Sequence, residues 1–329
     1  MIWMTWRQHR MQALFAVSLL AALAAVLVPT GLQMHHTFDS LGLPTCLRGP
    51  GAAEFVDTAG GDCGPQVEQF TSRFQNRSLI ALILVILPLF VGLFCGAPMV
   101  AREVKNGTHL LAWTQGVSRL RWAVTKFGLV AVGVAVIAAM YTLLVSWWFG
   151  PLNQATGNRF SWMFDVQGLV PVGFSLFAVT LGILAGSITR RALPAMAITL
   201  VGFAASRITV VFLLRPHFLP LVERRYPVVG TTRPNELHGD WVYSAGLYNA
   251  QGDLIYGGTP ANSVRAFCDP REIVGTPCNF DVGPGGYNLE LIQPAGRYWL
   301  FQALETALFV TLATLVFIAA VHYIRRRTI

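Results

Sequence analysis

The sequence predicts an all-α membrane protein of six transmembrane helices, both termini cytoplasmic, with a small Cys-bearing outer α/β cap. Three observations predict it. Hydrophobic residues make up 54% of the chain and charged residues 12%, about half the ~25% of a soluble domain. Six apolar runs reach the roughly 17 to 25 residues that a helix needs to cross a hydrocarbon layer. The charges between those runs sort by alternate segments, as the positive-inside rule requires. A net charge of +8 raises nucleic acid as a partner, but no basic stripe with interleaved aromatics occurs, so the partner implied is a lipid bilayer and no nucleic acid.

The chain divides along these runs. Residues 1–34 hold an interfacial helix and the first span. Trp3, Trp6, Arg7 and Arg10 are mixed at helical spacing, which suits a helix in the headgroup layer, and Leu14 to Leu32 follows as the span. The charge-free stretch from Met11 to Phe38 exceeds the 7 to 15 residues typical of a signal-peptide core, so it reads as an anchor. Residues 35–77 form a first outer loop. Residues 78–214 hold four spans, near Ser78 to Val100, Phe127 to Phe149, Gly168 to Ile188 and Ala192 to Leu214, with a basic loop at 101–126. Residues 215–297 form a large outer domain, and 298–329 the last span, Tyr298 to Tyr323, with a basic tail. Pro29, Pro88, Pro98, Pro171 and Pro194 lie in or at the ends of spans, where neighbouring helices can satisfy a freed carbonyl. Gly92 and Gly96, and Gly182 and Gly186, form small-xxx-small faces that permit close helix contact.

Orientation follows from charge. With the N-terminus inside, the inner segments carry Arg7, Arg10, Arg102, Lys105, Arg119, Arg121, Lys126, Arg190, Arg191 and Arg325 to Arg327 against Glu103 alone. The outer segments carry an acid excess. Four cysteines then fall on the outer, oxidising side, and Cys95 sits within the second span as a packing residue. Four cysteines allow three connectivities; pairing within each loop, Cys46 with Cys63 and Cys268 with Cys278, is the simplest. A metal site is not implied, because no CxxC or HxxxH spacing occurs and His35-His36 has no further candidate ligand beside it. In the large outer domain, Trp241 to Ser244 and Asp253 to Tyr256, separated by Asn249-Ala-Gln-Gly252, read as a short hairpin.

Enzyme motifs are missing. There is no GxxxxGK[ST], no Gly-x-Ser-x-Gly elbow, no HExxH and no GxGxxG after a strand, so no catalytic residue is proposed and no nucleotide is cradled by the usual route. The basic loop reads Arg102-Glu103-Val-Lys-Asn-Gly107-Thr108, then Ser118-Arg119, then Trp122 and Lys126 opening the next span. Read alone it is an ordinary positive-inside loop. The pattern also resembles the coupling-helix loop of ABC-2 type exporter permeases. Leu214 to Pro220 and Gln293 to Gln302 resemble a subgroup of those permeases found in actinobacteria. The resemblance implies the permease subunit of an ATP-driven exporter in the cell membrane, moving a hydrophobic or amphiphilic compound outward, with Arg102, Glu103, Gly107, Thr108, Ser118 and Arg119 in the ATPase-coupling loop. It implies an ABC ATPase subunit on a separate chain, which holds ATP and Mg, and a second permease subunit, identical or paralogous. The competing classes are a membrane sensor or assembly protein that binds a ligand with its outer domain, and an ion-coupled carrier using Arg207 and Glu305.

Arg207 and Glu305 are the charges within spans. Arg207 lies eight residues before Arg215 and Glu305 eight after Arg297, each about 12 Å from its outer boundary at 1.5 Å per residue. An unpaired charge at such depth costs about 2.5 to 3.5 kcal/mol on insertion scales. An ion pair between the two is therefore expected, with Gln302 one turn away as a supplement; the alternatives are that Arg207 snorkels to the outer surface or that each charge faces a wet cavity separately.

Overall fold

The computed structural model describes residues 2–47, 63–74, 78–99, 118–157, 159–228, 239–263 and 284–326. Helix α1 runs Ile2–Ser40. It continues unbroken through the stretch expected to lie separately in the headgroup layer, so the first turns belong to the same helix as the first span. Short α2, Leu43–Cys46, and α3, Gly64–Phe74, follow. Cys46 and Cys63 are joined by a disulfide with their Cα atoms 6.0 Å apart, which ties the end of α2 to the start of α3. Phe70 and Phe74 of α3 are buried with Met34, Phe38, Trp148 and Phe149 in one apolar cluster.

Helix α4, Ser78–Val91, passes through a π turn at Gly92–Gly96 and ends at Met99. Helix α5, Arg119–Thr156, opens on Ser118, whose side chain accepts the Arg121 N–H, and closes on Gly157 at φ 66°. Capping by a serine in extended conformation satisfies one orphan donor of the first turn. The third span is thus longer than its apolar run at both ends, because Ser118 starts the helix before the charges end. Helix α6, Val170–Thr189, turns through Arg190 at φ 55° into α7, Ala192–Thr209. A π turn, Val210–Leu214, and a 3-10 turn, Arg215–His217, extend α7. The last helix, α8, is Tyr298–Arg326.

Among the described residues, five helices are long and apolar enough to cross a membrane, and Leu84–Met99 is a shorter apolar one. Helix α6 is central, packed by α8 on one side and by α7 and the π turn of α4 on others. The α4 contact needs glycine. A Cβ on Gly92 would lie 2.6 Å from the Ala178 carbonyl, one on Gly96 2.5 Å from that of Val179, and one on Gly182 2.7 Å from that of Gly92. The two small-residue faces read from the sequence therefore meet, backbone against backbone, through Gly92, Gly96 and Gly182.

Pro29, Pro88 and Pro151 lie inside long helices, and each leaves a carbonyl four residues back without its donor; side chains meet two of these carbonyls. The Tyr141 hydroxyl donates to Leu84 O at 3.0 Å, replacing the missing Pro88 N–H. His35 Nε2 donates to Trp147 O at 3.2 Å, replacing that of Pro151, with its ring stacked on Trp147.

Between α7 and α8 lies a four-stranded antiparallel sheet ordered β1-β4-β2-β3. Its strands are β1 Val222–Pro227, β2 Trp241–Tyr248, β3 Leu254–Gly257 and β4 Tyr287–Gln293. The β2–β3 connection is a tight turn in which Asn249 Oδ1 accepts the Asp253 N–H at 2.7 Å and Gly252 adopts φ 93°, a backbone state that glycine enters without steric cost. Strands β1 and β4 leave α7 and enter α8, so the sheet stands directly on those two helices.

The bundle has two unlike ends. Met99, Trp122, Phe127, Val179, Ile183 and Ile324 form one cluster, which gathers the end of α4, the start of α5, the end of α6 and the end of α8. Arg190, Arg191, Arg325 and Arg326 stand at this basic end. The sheet, α2 and α3 stand at the other.

Candidate functional site

The site begins where α5 stops. After Gly157 the chain does not run over the surface to α6 but turns back into the bundle. The Gly168 N–H donates to Ser146 Oγ at 3.1 Å, and Ser146 lies ten residues before the end of α5, roughly 15 Å along a helix. Asn153 Nδ2 donates to Gln167 Oε1 at 2.8 Å on the way down. A 3-10 turn, Trp162–Asp165, lies within this re-entrant segment, with Ser161 accepting the Met163 N–H at its start.

Helix α6 therefore starts inside the bundle, and its first N–H groups have no water to meet. Gln302 of α8 meets them. Its Oε1 accepts from Leu169 N at 2.9 Å and Val170 N at 3.0 Å. Its Nε2 donates to Phe164 O at 2.9 Å and to the Tyr298 hydroxyl at 3.2 Å. One fully buried amide thus uses its acceptor and one donor contact on the segment and the helix it leads into, and its other donor contact on Tyr298 of its own helix. Gly168, at φ 73°, leaves room for it, since a Cβ there would lie 2.7 Å from Gln302 Oε1.

The charges sit on the same floor. Glu305, fully buried, accepts from Arg215 Nε at its Oε2 and from Arg215 Nη2 at its Oε1, both at 2.7 Å. Arg215 Nη2 also donates to Asp165 Oδ1, and Asp165 Oδ2 accepts from Arg207 Nη2 at 2.7 Å. Arg207 Nη1 points to Val85 O of α4 at 3.5 Å. Each guanidinium lies over a ring, Arg215 4.4 Å from the Phe164 centroid and Arg207 4.4 Å from that of Phe174. Two cations and two anions alternate in one chain, Arg207, Asp165, Arg215, Glu305. Its formal charge is zero, which is the condition for keeping ionised groups at such depth.

The direct pair of Arg207 with Glu305 is thereby corrected: each is paired, but with Asp165 and Arg215 respectively. A direct pair requires Arg215 and Arg297 to be level. Arg297 instead donates to Pro220 O at 2.7 Å, so the boundary on α7 lies five residues beyond Arg215. Arg207 is therefore deeper than expected, and Arg215 drops into reach of Glu305. Asp165 and Arg215 were missed because both stand in segments counted as outer loops. A signal was present in Phe160-Ser-Trp-Met-Phe-Asp165-Val, where a lone acid sits in an aromatic run between two spans.

The other expected site residues fall out differently. Arg102, Glu103, Gly107 and Thr108, and with them most of the coupling loop, lie outside the described residues, as do Cys268 and Cys278. Ser118 is the N-cap of α5 and Arg119 its first residue. Arg119 to Lys126 are helical, and Lys126 Nζ lies 5.5 Å from the Trp122 ring.

Long apolar helices around a paired polar core make this a multi-pass helical membrane protein. The sequence pattern of the family described as ABC-2 membrane transporter related matches residues 17–215, more than half of the chain. The protein belongs to that family, that of ABC transporter permeases. No curated protein and no solved structure matches the chain.

Proposed function

We propose that this chain is the permease subunit of an ATP-driven exporter that moves a hydrophobic or amphiphilic compound out of the cell. It crosses the cell membrane six times, with Ser78 to Met99 as the second crossing and both termini in the cytoplasm. A second permease subunit completes the pathway, and a separate ATPase chain supplies ATP and Mg chemistry. The family match over residues 17–215 carries the reading. Two further observations support it. No P-loop motif occurs in the sequence, which fits ATP hydrolysis on a separate polypeptide. The arginines at 190, 191, 325 and 326 share the end of the bundle from which α5 starts. An ion-coupled carrier is less well supported, since Arg207 and Glu305 each have an ionised partner.

In this reading Arg102, Glu103, Gly107, Thr108, Ser118 and Arg119 contact the ATPase at the start of α5, and α5 transmits that motion to the site through Ser146 and Asn153. Glu103→Lys reverses the acid in that loop. In vesicles holding the permease and its ATPase, it lowers permease-stimulated ATP hydrolysis several-fold, an effect of a lost charge-assisted contact, while the amount of inserted permease is unchanged. Unaltered stimulation would reject the coupling role of this loop.

A further inference from the structure

Irregular backbone at membrane depth is tolerated only where protein buries it, and the segment Arg159–Leu169 meets that condition by plugging the sheet end of the bundle. Below, it ends on Ser146 and Gln302. Above, the Phe160 ring stacks on Trp241 at the start of β2, centroids 5.9 Å apart, and meets Phe301 of α8 edge-on at 5.4 Å. Helices α7 and α8 each pack on α6 rather than along one another. At this end they are joined by the charge chain, and the segment contributes Asp165 to it.

The links of that chain are unlike. Arg215 and Glu305 make two parallel contacts, with 7% and 0% of their side chains exposed. Arg207 and Asp165 make one, with 13% and 12% exposed. A two-fold guanidinium–carboxylate contact is the stronger link, whereas a single contact gives up less when it opens. If the weaker link opens, Asp165 keeps Arg215, while Arg207 keeps Phe174 and the Val85 carbonyl. Neither charge is stranded.

We infer that Arg159–Leu169 is an outer plug, that Arg215 and Glu305 are its fixed brace, and that the Arg207–Asp165 contact is its latch, which releases when the transporter opens outward. The opening step rests on the exporter reading; the plug and latch rest on the geometry. Asp165 is on this account a positioning residue for transport.

A thiol under the plug tests it. In the full-length chain in intact cells, Ser146→Cys is reacted with a membrane-impermeant maleimide from outside, and labelling of the chain without the added cysteine is subtracted. Labelling is slow with the latch present. Asp165→Asn speeds it about tenfold, the change expected when one partly exposed ion pair no longer opposes opening, and Asp165→Glu restores the slow rate. Gly182→Val, which loosens the α4 contact and does not touch the segment, separates a latch from general loosening: at a matched fall in melting temperature, Asp165→Asn speeds labelling and Gly182→Val does not. An unchanged rate in folded Asp165→Asn overturns the latch, as does an equal rise in Gly182→Val. If Asp165→Asn does not accumulate, Arg207→Gln carries the same test, because Arg215 still matches Asp165. With the ATPase active, labelling of the parent quickens further. Loss of that ATP effect alone, with the Asp165→Asn effect intact, supports the latch and counts against the exporter reading.

Discussion

The two ends of the helix bundle are held together by different physics. At the basic end, Phe127, Val179, Ile183, Ala320 and Ile324 fill space against one another, and nearer the middle Gly92, Gly96 and Gly182 let two backbones touch. At the sheet end, a chain of four charges, the buried Gln302 amide and the Ser146 hydroxyl join α5, α6, α7, α8 and the segment between α5 and α6. Lipid tails are as apolar as leucine, so close packing and polar contacts are the means of joining helices in a bilayer. The basic end is packed through these side chains, and the sheet end adds directional polar contacts to an aromatic cluster of its own. Packing is shape-dependent and fails as a unit, whereas directional contacts break singly, which suits the sheet end to a movement and the basic end to a fixed frame.

The sharpest way to break this comparison is at the brace. Glu305→Leu leaves Arg215 with Asp165 alone and costs about 3 to 5 kcal/mol, the usual penalty for stripping one partner from a buried pair. Removing both, in Arg215→Leu with Glu305→Leu, leaves Arg207 and Asp165 matched and costs less than Glu305→Leu. Unfolding of the purified variants in detergent measures both. A double variant as unstable as the two single losses added together means that the charges act independently.

A second test belongs to the packed contact. Gly182→Val drives a side chain into Gly92 O and Ala97 N and costs about 1 to 3 kcal/mol or more through overpacking. Gly133→Ala, on α5 where an added Cβ meets nothing within 4 Å, stays within about 0.5 kcal/mol of the parent. Equal effects at the two glycines would show that backbone contact is not what holds α4 to α6.

The smallest effect is expected where one directional contact repairs one proline. Tyr141→Phe removes the donor that replaces the Pro88 N–H and lowers stability by about 1 kcal/mol, because Leu84 O is left without a partner. With Pro88→Leu added, the helix supplies its own donor to Leu84 O and the cost of Tyr141→Phe falls towards zero. A melting-temperature comparison of the four chains reads out this coupling. Persistence of the full Tyr141 effect in the Pro88→Leu background would separate the hydroxyl from the proline.

What was legible in the sequence is what depends on sums over neighbouring residues. The apolar runs form helices at or near their expected places, because each helix satisfies its own backbone and length and hydropathy alone set its cost in lipid. The hairpin around Asn249 and Gly252 was legible because its turn is made by the residues within it. Partner choice was not. That Arg207 meets Asp165 and Glu305 meets Arg215 depends on how far α7 extends before the sheet begins and on the path of a segment whose composition reads as loop. Likewise, nothing local to Gln302 reveals that it caps a helix more than a hundred residues earlier, or local to Tyr141 that it serves a carbonyl freed by Pro88. Residue order alone dictates that charges at this depth need partners. Which partners they find is settled only in the folded bundle, because an ion pair is chosen by distance in space, and that distance is set by the packing of every helix between the two groups.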